Sequence, residues 1–87
     1  MSHRQQTFNP ADYHFEWTAD GWYTWDRDAA HKNAMGARNV EAQRLKSLGH
    51  KVKKTSMPGN LITRGGIGSG RPEISMFVTV YMVEVVG

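Results

Sequence analysis

The chain contains no cysteine. Disulfide frameworks, cysteine-ligated zinc and thiol catalysis are therefore excluded, and a cysteine-free chain fits the cytoplasm. Long apolar runs are missing as well. The longest, Ile74 to Val86, is interrupted by Ser75, Thr79 and Glu84. It falls short of the ~20 apolar residues of a membrane helix, and its β-branched content favours a strand. The opening Met1-Ser2-His3-Arg4-Gln5-Gln6-Thr7 lacks the apolar core of a signal peptide. These absences lead to the expectation of a soluble cytoplasmic protein with no membrane partner.

Ligand and catalytic patterns are sparse too. His3, His14, His31 and His50 show no metal-ligand spacing, and no acid cluster supports them. No metal and no cofactor is expected. No Ser-His-Asp set and no carboxylate pair can be assembled from spacing, so an enzyme is not expected.

Acids are scarce in the middle of the chain. Residues 31–71 carry nine bases against Glu41 alone, a balance of +8; residues 1–30 balance at −3 and residues 72–87 at −2, for a net charge of +3. A basic centre between acidic ends suits an anionic partner on one face, or a solvated helix face beside a lysine-bearing edge strand.

What is present belongs to one small domain. At 87 residues and 39% hydrophobic content, with three tryptophans, the chain has material for a single core. Residues 1–12 are polar, contain Asn9-Pro10 and read as a tail, leaving 13–87 as the domain. Tyr13-His14-Phe15-Glu16-Trp17 alternates as a half-buried strand does, Ala19-Asp20-Gly21 reads as a three-residue hairpin loop, and Trp22-Tyr23-Thr24-Trp25 follows as the second strand. A three-residue loop sets Phe15 opposite Trp25 and Trp17 opposite Tyr23, which leaves Trp22 outside the core.

A helix is expected next, capped by Asp26, with Ala30, Ala34, Ala37, Leu45 and Leu48 on one stripe and Gly49 as its left-handed stop. Glu41 interrupts the stripe between Arg38 and Arg44; an arginine-paired carboxylate is the bland reading and a ligand-binding acid the sharp one. His50 to Met57 reads as an edge strand guarded by Lys51, Lys53 and Lys54. Pro58-Gly59 signals a turn, and Leu61 to Arg64 a short further strand.

The last strand follows. Ile74, Met76, Val78, Val80 and Met82 share one face, expected beneath the helix; Ser75, Phe77, Thr79, Tyr81 and Val83 share the other. The fold class is α+β: one helix on one face of a mainly antiparallel three- to five-stranded sheet, in the order β-β-α-β-(β)-β.

Two features are left for function. Arg64-Gly65-Gly66-Ile67-Gly68-Ser69-Gly70-Arg71-Pro72 fails the nucleotide-loop templates: Arg71-Pro72 stands where a P-loop needs Lys then Ser or Thr, and a strand follows instead of a helix. The backbone of Gly65, Gly66, Gly68, Ser69 and Gly70 between Arg64 and Arg71 retains the chemistry of an anion-binding nest, with Lys51, Lys53 and Lys54 adding positive field. The second feature is an aromatic sheet face. Trp22, Phe77 and Tyr81, left uncovered by a single helix, suit base stacking or a protein partner.

The first functional expectation is a non-enzymatic module that binds nucleic acid or a nucleotide through the loop and this face. The second is a protein-binding accessory or inhibitor, of the kind phages and mobile elements encode, docking on an acidic or nucleic-acid-handling partner. The third is a homodimer formed through the aromatic face.

Overall fold

In the computed structural model, which describes residues 4–86, the polar opening of the chain is already structured. Arg4–Phe8 is strand β1, and Pro10–Asp12 is a 3-10 turn whose Asn9 side chain accepts the amide of Ala11. The reading of residues 1–12 as a tail is thus corrected over its described part: alternating polar residues can line an exposed edge strand without any hydrophobic signature. Phe15–Trp17 is β2, Tyr23–Trp25 β3, Arg27–Ser47 helix α1, Lys51–Gly66 β4 and Arg71–Val86 β5. The strands form an antiparallel three-stranded sheet in the order β1-β5-β4 and a separate β2-β3 hairpin. One helix on a mainly antiparallel sheet is the α+β architecture expected.

Strand β5 sits between the other two because its side chains are apolar on both faces, a pattern that suits only an inner strand. β4 runs its full length beside β5 and is not interrupted at Pro58-Gly59. Where a turn and a separate short strand were expected, the ladder carries a bulge: Met57 pairs with Val80 and Asn60 with Val78, two residues of β4 facing Thr79 alone. The missing amide of Pro58 and the positive φ of Gly59 (74°) fit that bulge, and Asn60 Nδ2 donates to the Met57 carbonyl across it at 2.7 Å.

The two faces of β5 are covered at opposite ends. Ile74, Met76, Val78 and Val80 are buried under Ala11 and the hairpin aromatics Phe15, Trp17, Tyr23 and Trp25. Val83, of opposite parity, is buried under Ala42 and Leu45 of α1, beside Phe8, Val52 and Val85. The expectation that the helix covers the even-numbered face is therefore corrected: the hairpin takes that face and the helix takes the other. Both packing units compete for the same strand, and its length lets each have one end.

Local signals set the hairpin and the helix ends. Phe15 pairs with Trp25 and Trp17 with Tyr23, with Gly21 at φ 86° in the three-residue loop. The Asp26 carboxylate accepts the Ala29 amide at 3.1 Å. At the other end the His50 amide bonds the Leu45 carbonyl and the Gly49 amide that of Lys46, a Schellman closure. The buried stripe is Ala30, Ala34, Arg38, Ala42 and Leu45; Leu48 caps the helix and is exposed, correcting its place on the stripe.

His31 joins the two halves. Its Nε2 accepts the Thr79 amide at 3.1 Å while Nδ1 lies 2.8 Å from the Arg27 carbonyl. Thr79 lies just past Tyr81, the last residue of β5 that β1 pairs. The histidine thus serves a backbone donor that the short β1 does not reach.

Candidate functional site

The long β4-β5 ribbon gives the molecule its shape. Its principal extents are 48 × 26 × 20 Å and its radius of gyration is 15.4 Å, against about 12 Å for a compact chain of this length. The surfaces left open along this ribbon are where the expected site residues lie.

At the ribbon tip, Gly66 pairs with Arg71 and the turn Ile67-Gly68-Ser69-Gly70 closes it. Ser69 holds the turn. Its amide and its hydroxyl both donate to the Gly66 carbonyl, at 3.1 and 2.7 Å, and its hydroxyl accepts the Arg71 amide at 3.2 Å. Gly66, Gly68 and Gly70 lie at positive φ, whereas Ile67 and Ser69 do not. That alternation is the backbone pattern of a nest, but the Ser69 and Arg71 amides are already bonded within the turn.

Both arginines are engaged. Arg64 donates to Asp12 at 2.8 Å and to the Thr63 carbonyl at 3.1 Å. The Arg71 guanidinium lies over the Trp17 ring, 5.0 Å from its centroid. Asp12 and Glu73 bring two carboxylates to the same tip, Glu73 within 3.4 Å of where a Cβ on Gly66 would stand. The formal charge there is balanced.

The lysines lie elsewhere. Lys51, Lys53 and Lys54 pair with Val86, Glu84 and Val83 at the far end of β4, ten residues and roughly 33 Å of strand from Arg64. Lys53 and Lys54 also point to opposite faces. The structure does not bring these lysines to the glycine loop.

Nor does it assemble Trp22, Phe77 and Tyr81 into one platform. Tyr81 is half-buried beneath the helix, with the Arg38 guanidinium 5.4 Å from its ring centroid and His31 edge-on at 6.3 Å. Trp22 is 56% exposed at the β2-β3 turn, tilted against Tyr23. Phe77 is 60% exposed in the middle of the ribbon. Its true neighbour is Leu61, directly opposite in the ladder and 56% exposed, with Thr63 and Ser75 as the next pair on that face. This stretch of sheet has no cover and no charge. Sequence reading found Phe77 but missed Leu61, because the bulge at Pro58-Gly59 decides which β4 residue faces it.

Glu41 takes the bland reading: Arg44 clasps it with two bonds of 2.7 and 2.6 Å, and Gln6 of β1 donates to the same carboxylate. That pairing holds the Arg44 guanidinium above its ordinary pKa, through the hydrogen bond first and the charge second. Arg38, which flanks Glu41 in sequence, is instead buried, donating to the Thr55 carbonyl at 2.8 Å and to Asn39 at 2.9 Å.

An open groove of about 440 Å³ lies on the outer side of the hairpin, lined by His14, Glu16, Thr24, Trp25 and Asp26. His14 stands at φ 54° and its ring meets Asn33 of α1. Among the described residues no group of His, Asp and Glu is disposed to hold a metal ion, and no helix is long and apolar enough to cross a membrane. Comparison with protein-family models, with curated proteins and with solved structures finds no match to this chain.

Proposed function

We propose that the protein is a non-enzymatic binding module whose principal target is another protein, taken on the uncovered face of the β4-β5 ribbon. The observation that carries this reading is the exposed cross-strand pair Leu61–Phe77, flanked by the uncharged pair Thr63 and Ser75. Two large apolar side chains side by side on a rigid ladder form the centre of a hot spot, because burying them requires no desolvation of a charge. The partner that fits presents an apolar centre to this pair.

The test is affinity capture after nuclease treatment, comparing the native chain with Leu61→Ser/Phe77→Ser. The expected result is one stoichiometric protein partner retained through nuclease and lost with the double substitution. Capture that vanishes with nuclease, or that ignores the substitution, would overturn this reading.

The ribbon tip favours a second reading, a phosphate-bearing ligand such as nucleic acid or a nucleotide. Its support is the alternating handedness of the turn and the ordering of Arg64 by Asp12 and Arg71 by Trp17. Asp12 and Glu73 weigh against it by cancelling the local charge. It requires binding of an oligonucleotide or nucleotide that weakens steeply with salt and disappears in Arg64→Ala/Arg71→Ala.

A further inference from the structure

We infer that His31 is an acid-sensitive latch: protonation of its ring releases the Thr79 amide and loosens the junction between the hairpin-covered and helix-covered parts of β5. The inference does not rest on the partner-binding reading, since neither residue belongs to the Leu61–Phe77 pair.

Thr79 is where β5 has least support from its own sheet. β1 pairs with β5 only as far as Tyr81, and on the other side β4 passes Thr79 in the bulge at Pro58-Gly59. The residue also marks a boundary. Buried side chains up to Val80 pack under the hairpin, and Val83 packs under α1. His31 reaches this point from α1 and accepts the Thr79 amide at 3.1 Å. One ring thus ties the helix to the strand where the two packing units meet.

Both ring nitrogens are committed. The Thr79 amide can only donate, so Nε2 is bare; the Arg27 carbonyl, 2.8 Å from Nδ1, can only accept, so Nδ1 carries the proton. A second proton must therefore go to Nε2. An imidazolium has no acceptor, and the hydrogen bond is replaced by two N–H groups directed at each other. Opening the latch takes up a proton, so linkage favours the closed form as pH rises and the open form as pH falls. Histidine is the side chain whose charge ordinarily changes between about pH 8 and about pH 5.

The surroundings do not offset the lost bond. On α1 the exposed Arg27, Asp28 and Lys32 lie within one turn of His31. Tyr81 of β5 stands edge-on at 6.3 Å, with the Arg38 guanidinium 5.4 Å from the same tyrosine ring. The hairpin contributes the uncharged Trp25 ring at 6.1 Å, and Asp12 of the 3-10 turn is paired with Arg64. Cations outnumber the one adjacent carboxylate, so the local charge gives a protonated ring no net compensation.

Amide hydrogen exchange of the full chain between pH 8 and pH 5 tests this, corrected for the intrinsic pH dependence of exchange, with the His31 ring protons followed by NMR in the same samples. The expected result is a fall in Thr79 protection of about tenfold, the scale of one hydrogen bond, in step with the titration of that ring. Val83, which pairs with Gln6 of β1, should change by less than about threefold over the same range. His31→Gln places an amide oxygen near the Nε2 position that accepts at every pH, and should abolish the pH dependence. His14→Gln and His50→Gln should leave it intact. A flat native profile for Thr79, a loss that does not follow the His31 ring, or the same pH-dependent loss in His31→Gln would each overturn the inference.

Discussion

Gly65 lies so close against Pro72 that position 65 has no room for a side chain. A Cβ there would lie 3.1 Å from the outer edge of the Trp17 ring and 2.2 Å from the Pro72 carbonyl oxygen, on a backbone already at φ 78°. The glycine is what lets the ribbon's end close against the hairpin. Gly65→Ala should therefore cost about 2–3 kcal/mol, combining left-handed strain with a backbone clash. Gly68→Ala, at φ 87° but with nothing within 4 Å, should cost only about 1 kcal/mol. Urea denaturation of the two variants measures the difference; equal losses would mean that the contact with Trp17 and Pro72 contributes nothing.

The Thr79 amide depends on His31. That amide can only donate, so Nε2 accepts it and the ring proton sits on Nδ1, directed at the Arg27 carbonyl. His31→Ala should leave a partly buried donor unpaired and cost about 1–3 kcal/mol. Hydrogen exchange should show the loss locally, with the Thr79 amide exchanging much faster than that of Val83 at the far end of β5.

Arg38 is the buried charged residue of the described core, and its guanidinium serves the Thr55 carbonyl and covers Tyr81. Arg38→Ala should cost about 2–3 kcal/mol, through a cavity and an orphaned carbonyl. Arg38→Met keeps the apolar stem and should lose only about half as much. Equal losses in chemical denaturation would show that the guanidinium, and not the stem, is what the site requires.

How legible this arrangement was in the sequence depends on which physics decides each piece. The hairpin register, the Asp26 cap and the Gly49 stop follow from residues within a few positions of one another, and these were readable. Strand β1 was not, because Gln5, Gln6 and Thr7 form a strand only by pairing with Glu84, Val83 and Met82, some 75 to 79 residues away. The bulge was not, because Pro58-Gly59 signals a turn equally well until β5 is seen running past it. That bulge in turn hid the partnership of Leu61 with Phe77. Arg38 was legible only as a neighbour of Glu41, because nothing local announces that Thr55 and Tyr81 wait beneath it. At the candidate site, the arginines of the loop were legible as a pair, but their engagement with Asp12 and Trp17 is tertiary.

Asp20 supplies a pH dependence of known sign. The Thr18 hydroxyl donates to its carboxylate, and the Trp22 amide adds a second bond. These bonds, the hydroxyl first, hold its pKa below the ordinary aspartate value of 3.8. A carboxylate depressed in the folded state stabilises the fold above its unfolded pKa and loses that contribution as pH falls through the folded value. The hairpin turn should therefore loosen only at pH below 3.8, and Asp20→Asn should flatten that part of the acid limb. Carboxyl-carbon NMR titration checks the direction: a midpoint for Asp20 at or above that of a free aspartate would remove the effect.

Leu61 and Phe77 separate binding from folding. Each is more than half exposed, and neither belongs to the buried clusters on the two faces of β5. Replacing them removes little buried area, and exposed substitutions away from caps and cores usually stay within about 0.5 kcal/mol. Threonine at both positions keeps strand propensity while shrinking the apolar surface. Leu61→Thr/Phe77→Thr should thus melt within a few degrees of the native chain yet fail to retain a partner. Its solubility should rise, since a contiguous apolar patch is also what drives non-specific association. A large fall in melting temperature would show instead that these side chains pack in the folded monomer, and the exposed pair would then be part of the fold's own support.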